Sequence, residues 1–232
     1  MNNGFPLFFT QVSERLGRYD EVQNKVEFIS KNFPALQYPK LLDICCGAGH
    51  FTRALANKGY QTTGIDISYE QINLAKEQCS LTEYIQCDMK SPPDRKFDLI
   101  INTYSSFGYG QIPQEDLAAL HSWYEVLRHG GFLIIELTDL EKAKHDFPWP
   151  SKSKNRVNDD VKENFHMDWE LQLLTVTYQL GEQQYNGFTR IYSCEQLYEM
   201  LTSVGFTIIN KAGDFNFTPK KEHQRLVLTC TK

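Results

Sequence analysis

Between residues 40 and 137 the chain alternates short apolar, strand-like runs with longer amphipathic ones, and this alternation constrains the fold more than any other feature. The apolar runs cover residues 40–46, 61–66, 83–87, 97–102 and 132–137. Residues 50–58, 69–79 and 114–127 instead carry apolar side chains at helical spacing, with Ser68 as the predicted N-cap of the second helix. Gly59, Pro92-Pro93 and His129-Gly130-Gly131 punctuate the series. Strands without polar alternation are covered on both faces, which predicts an α/β fold with a doubly wound, mostly parallel, Rossmann-like sheet.

The flanks read differently. Phe8, Phe9, Val12, Leu16, Tyr19, Val22, Val26 and Ile29 predict one helix over residues 8–32, weakened by Gly17. Residues 139–165 are polar, contain Pro148 and Pro150, and read as a loop. Residues 166–192 alternate as strands around a turn at Gly181. A helix over 194–204 stops at Gly205, and strands follow at 206–211 and 225–231.

Composition narrows the functional classes. Lys and Arg number 24 against 29 Asp and Glu, a net charge of −5, so nothing draws the chain as a whole to nucleic acid or anionic membrane. No run approaches the roughly 20 apolar residues of a membrane helix, and the N-terminus lacks the pattern of a secretory signal. The six cysteines form no C-x-x-C pair, which argues against bound metal and for a reduced, cytoplasmic protein.

Four segments carry chemistry. In Asp43-Ile44-Cys45-Cys46-Gly47-Ala48-Gly49-His50, two glycines at a strand-to-helix turn allow a ligand close to the backbone. The third glycine of a dinucleotide-binding turn is missing, because Thr52 stands there. Asp66 ends the second apolar run, where a carboxylate can accept two ribose hydroxyls or simply cap the next helix. Asp88, followed by Met89, ends the third and suits an adenine amino group. The fourth run empties into Asn102-Thr103-Tyr104-Ser105-Ser106-Phe107-Gly108-Tyr109, a loop rich in aromatics and hydroxyls. All four fall at strand carboxyl ends, where open α/β sheets bind ligands.

Over residues 36–138, resuming at 188–232, the chain resembles the class I S-adenosylmethionine-dependent methyltransferases of small-molecule type. The resemblance implies a seven-stranded sheet with an antiparallel last strand and one domain over 1–232. Its parts would be an N-terminal helical lid (1–39), a cofactor-binding core (40–138), a lid or β insertion (139–192) and a closing segment (193–232). It implies that Asp43, Gly47 and Gly49 surround the methionine end of the cofactor, S-adenosyl-L-methionine, with Tyr19 of the lid touching that end. Asp66 would bind ribose beside Ile67, Asp88 the adenine amino group beside Met89, and Asn102 the methionine amino group. The Asn/Asp-Pro-Pro-aromatic motif of nucleic-acid amino-methylating enzymes is absent after the fourth strand, which points to a small-molecule partner.

Transfer from a sulfonium needs mainly in-line positioning of the acceptor, with a general base only for a protonated one. His166 and Tyr192 are candidate bases, whereas His121 and His129 read as structural. Tyr104, Phe107 and Tyr109 suit a cationic amine acceptor, and Arg190 an acidic one. Two other functions share the glycine turn and Asp66: a nicotinamide-dependent oxidoreductase, and a cofactor-binding regulatory protein without turnover.

Overall fold

The computed structural model describes residues 12–13, 15–17, 19–79, 82–147, 151–158 and 160–232. Strands are numbered in chain order. Seven of them, β1 (Lys40–Ile44), β2 (Gln61–Asp66), β3 (Glu83–Gln86), β4 (Phe97–Asn102), β5 (Leu127–Leu137), β10 (Thr207–Ala212) and β11 (Leu226–Thr231), form one sheet. The spatial order is β10-β11-β5-β4-β1-β2-β3. Strands β1 to β5 pair in parallel, and β11 is antiparallel to both β5 and β10. The sheet is therefore the predicted doubly wound one. Because β1 lies between β2 and β4, the chain leaves the sheet in opposite senses there and opens a crevice at the carboxyl ends.

Side chains alternate across each strand, so neighbouring apolar residues serve opposite layers. Leu42, Ile100, Leu133 and Ile135 pack against helices α4 (Pro113–Val126) and α6 (Cys194–Val204), through Leu120, Trp123, Leu197 and Leu201. Leu41, Leu99, Ile101 and Ile134 pack against α1 (Val22–Asn32) and α2 (His50–Ala56), through Val26, Ile29, Phe51 and Leu55. Helix α3 (Tyr69–Gln78) starts at the predicted cap, where the Ser68 hydroxyl accepts the Gln71 N–H at 3.1 Å. Helix α6 starts with a reciprocal Ser193–Gln196 capping box and stops at Gly205 (φ +115).

Three expectations need correction. The helix predicted over 8–32 is broken in two: residues 12, 13 and 15 are helical, Gly17 takes φ +62, and the chain turns before α1 begins at Val22. Residues 8–11 of that prediction lie outside the described residues. Residues 139–165 are not a loop but contain helix α5 (Leu140–Asp146), capped by Asp139, and strands β6 (Ser153–Asn158) and β7 (Val161–Asp168). With β8 (Leu173–Leu180) and β9 (Gln183–Arg190) these make a four-stranded antiparallel sheet. Strands β8 and β9 form the hairpin expected around Gly181, whereas β6 and β7 escape sequence reading because Glu163 is fully buried at an inward position, paired with Arg156. That charge breaks the apolar alternation a sequence reader looks for. Finally, β5 begins at Leu127, ahead of the Gly130-Gly131 turn expected to precede it.

The insertion sheet meets the N-terminal segment: Val12 and Leu16 pack with Val161, Val176, Tyr178 and Leu180, and Arg15 pairs with Asp160. Among the described residues no helix is long and apolar enough to cross a membrane.

Candidate active site

The carboxyl ends of β1, β2 and β4 are tied together by polar groups. Past β1, Cys45 (φ +60), Gly47 (φ +53) and Gly49 (φ +75) turn the backbone into the left-handed region. A β-carbon on Gly49 would collide with the Tyr84 ring and hydroxyl, so that glycine answers to core packing behind the turn as well as to any ligand before it. Non-glycine Cys45 pays about 1–3 kcal/mol for its conformation, a cost concentrated where function needs an unusual backbone.

Asp66 holds this turn. Its Oδ2 accepts the Gly47 N–H and its Oδ1 the Ser68 N–H, both at 2.9 Å. Burial raises its pKa against the opposing pull of those N–H groups. Each oxygen keeps a second lone pair, so cap and ribose acceptor are compatible roles. Asp43 is buried on β1, accepts the Thr52 hydroxyl at 2.5 Å, and is pushed up to about 7 by burial, with Asp66 adding to the rise. Asp88 is half-exposed and accepts the Lys90 N–H at 2.8 Å. Asp66, Ile67, Asp88 and Met89 line one cleft with Cys45 and Tyr109. Tyr109 lines this cleft while 44% of its surface stays exposed.

Asn102, fully buried at the end of β4, donates from Nδ2 to the carbonyls of Ile44 (3.2 Å) and Ser106 (3.0 Å). Its Oδ1 has no partner among the described residues. An orphaned acceptor of this kind is costly unless something supplies a donor.

The loop after β4 is strained at Tyr104 and Ser105, both near φ +60. A network that sequence reading missed holds it there. Glu136 on β5 takes both its oxygens to Lys25 of α1 (2.8 and 2.7 Å) and accepts the Tyr104 N–H (2.9 Å). The Lys25 ammonium lies 3.7 Å from the centre of the Tyr104 ring. Burial lowers the Lys25 pKa; burial would raise that of Glu136, but the charges of Lys25 and Arg225 outweigh it and hold the carboxyl below its usual range. A lone acid inside the apolar run Phe132-Leu133-Ile134-Ile135-Glu136-Leu137 was the available signal. Tyr19 stacks on His50 (4.1 Å) and meets Tyr104 edge-on (6.0 Å), beside the turn.

The expected acceptor groups do not converge. Tyr104 already carries Lys25 on its ring, Phe107 is buried against Trp123 and Tyr192, and Tyr109 faces the cleft of Asp66. The three therefore form no common cradle. Arg190 donates to the carbonyls of Leu171 (2.9 Å) and Gln111 (3.0 Å), so its guanidinium holds a loop. Tyr192 donates to Asp116 (2.7 Å) and its pKa is raised by burial and by that carboxylate, which makes it a poor base. His166 is exposed on the insertion sheet, 3.2 Å from the Ser153 hydroxyl.

Residues 41–131 match the family model of a methyltransferase domain. Over 97% of its length the chain is 24% identical to the putative methyltransferase YqeM of Bacillus subtilis (strain 168), covering 96% of that protein. A 101-residue stretch, 41% of each chain, is 32% identical to the dTDP-3-amino-3,4,6-trideoxy-alpha-D-glucopyranose N,N-dimethyltransferase of Streptomyces venezuelae. In structure, the chain superposes on an S-adenosylmethionine-dependent methyltransferase from Clostridium acetobutylicum ATCC 824 with a TM-score of 0.79. That match has 20% identity and covers 96% and 97% of the two chains. The matched core, residues 41–131, is thus similar to a methyltransferase domain, and the fold around it is shared with that S-adenosylmethionine-dependent methyltransferase.

Proposed function

We propose that the protein transfers a methyl group from S-adenosylmethionine to a nitrogen or oxygen nucleophile of a small molecule in the cytoplasm. The observation that carries the reading is that Asp66 and Asp88 line one cleft, while the unpartnered Asn102 Oδ1 lies buried at the carboxyl end of β4 in the same sheet. These are acceptors, and the cofactor offers donors: a ribose diol, an adenine amino group and an ammonium. Asp66 takes the ribose, Asp88 the adenine amino group between Ile67 and Met89, and Asn102 the amino group. Gly47 and Gly49 shape the turn beside the methionine end, with Asp43 beneath and Tyr19 above. The bound sulfonium supplies an activated methyl on a neutral leaving group, so the chain's own residues serve to hold, orient and exclude water. An acceptor that arrives with a free lone pair needs no general base.

Small-molecule chemistry is supported by the aminosugar N,N-dimethyltransferase similarity and by the absence of the nucleic-acid motif after β4. Calorimetry against S-adenosylmethionine and NADH tests the cofactor: heat with NADH alone overturns the reading. A metabolite screen reading S-adenosylhomocysteine release tests turnover, and binding without release across the library would favour a regulatory binder. At residue level, Asp66→Ala removes two charge-assisted hydrogen bonds to ribose, worth about 2–4 kcal/mol after water fills the gap, or roughly 30- to 1,000-fold in affinity. An Asp66→Ala protein that binds as tightly as the parent would reduce Asp66 to its cap role.

A further inference from the structure

Helix α4 buries one carboxylate that the proposed function does not use. Asp116 is fully buried; its Oδ1 accepts the Gly110 N–H at 2.8 Å and its Oδ2 accepts the Tyr192 hydroxyl at 2.7 Å. Tyr192 lies two residues beyond β9, and Arg190 ends that strand. The Arg190 N–H donates to the Gly108 carbonyl at 2.7 Å, while its guanidinium bridges Leu171 of the insertion to Gln111 of the β4 loop. Gly108 takes φ +93, and a β-carbon there would collide with the Arg190 carbonyl oxygen, so strand and loop meet backbone to backbone.

Gly108 and Gly110 flank a single residue, Tyr109. The carbonyl before it and the N–H after it are thus both held, one by the exit of the insertion and the other by a carboxylate that the same exit fixes. Tyr109 walls the cleft of Asp66, Ile67 and Met89. We propose that Arg190, Asp116 and Tyr192 are positioning residues that set Tyr109 as a wall of the adenosine end of the cofactor site, so that the insertion sheet governs cofactor affinity. This rests on the reading that the cleft takes adenosine. Its consequence is directional: whatever orders the insertion, an acceptor included, tightens the cofactor, and the reverse holds by reciprocity.

The test is a double-mutant cycle on the full chain, read by calorimetry with S-adenosylhomocysteine. Tyr109→Ala is expected to weaken binding about tenfold, and Tyr192→Phe about fivefold, the effect of one lost hydrogen bond. In the double variant Tyr192→Phe is expected to add nothing, because the wall it positions is gone. Effects that multiply, or a Tyr192→Phe protein with parental affinity and a lowered Tm, overturn the proposal and leave the network purely structural. Arg190→Met, which keeps the backbone contact and Asp116, repeats the cycle if Tyr192→Phe does not fold; additive effects there overturn the proposal equally. A parent chain that does not bind S-adenosylhomocysteine overturns the cofactor reading itself, and this proposal with it.

Discussion

The seven-stranded sheet is covered on both faces, whereas the four-stranded insertion leaves much of its surface in water, with residues 153–157 of β6 all exposed. The two sheets therefore treat a polar residue differently. In the large sheet Asp43, Asn102 and Glu136 are buried at strand carboxyl ends, and each is held by a named partner at the crevice. Asp98, at the opposite end of β4, is tied to Arg128 and the Lys40 N–H. On the insertion, polar strand residues other than the buried Glu163 are exposed or half-exposed and say little. A polar residue is a signal of function only where burial makes it expensive.

Lys25→Ala should produce the largest effect, because it strips a buried partner from Glu136: about 3–5 kcal/mol of stability by chemical denaturation. A loss below 1 kcal/mol would mean that Arg225 alone satisfies Glu136 and that the large sheet tolerates polarity after all. Asp43→Asn comes next, with a sign that depends on pH. The folded-state pKa of Asp43 is raised to about 7 by burial. Its neutral form therefore favours the fold below the unfolded pKa near 4, and that contribution is lost as pH rises toward 7. Asparagine cannot ionise, so the variant should match the parent near pH 4 and exceed it by on the order of 2–4 kcal/mol at pH 8. A pH-independent difference would refute the buried-carboxylate account. Smallest is Val157→Thr on the insertion, where a 65% exposed side chain should change stability by less than about 0.5 kcal/mol. A loss above 1 kcal/mol would show that this face is covered in solution.

The same contrast explains what the sequence made legible. Strand positions in the core were readable because Leu, Ile and Val fill both faces, and Asp43, Gly47, Gly49 and Asp66 stood out against that background. Glu136 was readable in principle, as the one acid in an apolar strand, but its partner Lys25 lies 111 residues away on a helix where lysine is unremarkable. Asp116 looked like an ordinary first-turn acid of α4, a position that helices favour on electrostatic grounds alone. Of the insertion, the β8–β9 hairpin around Gly181 was legible, whereas β6 and β7 were not, because inward Glu163 and exposed β6 obey no simple alternation. Tyr104, Phe107 and Tyr109 were grouped by proximity in sequence, yet left-handed residues at 104, 105 and 108 send them to three different places.

Strand β11 sits between β5 and β10, and its Leu226 pairs with Leu137 across 89 residues of chain. During synthesis β5 is made long before its neighbour, and its outer edge must wait with unpaired backbone groups until β11 arrives. Contacts of such wide separation slow folding and lengthen the life of an open, sticky edge. Interruption of translation before Leu226 would thus strand both β5 and β10 without their common partner. The sheet closes only when β11 arrives, which makes that step the point at which aggregation competes with folding.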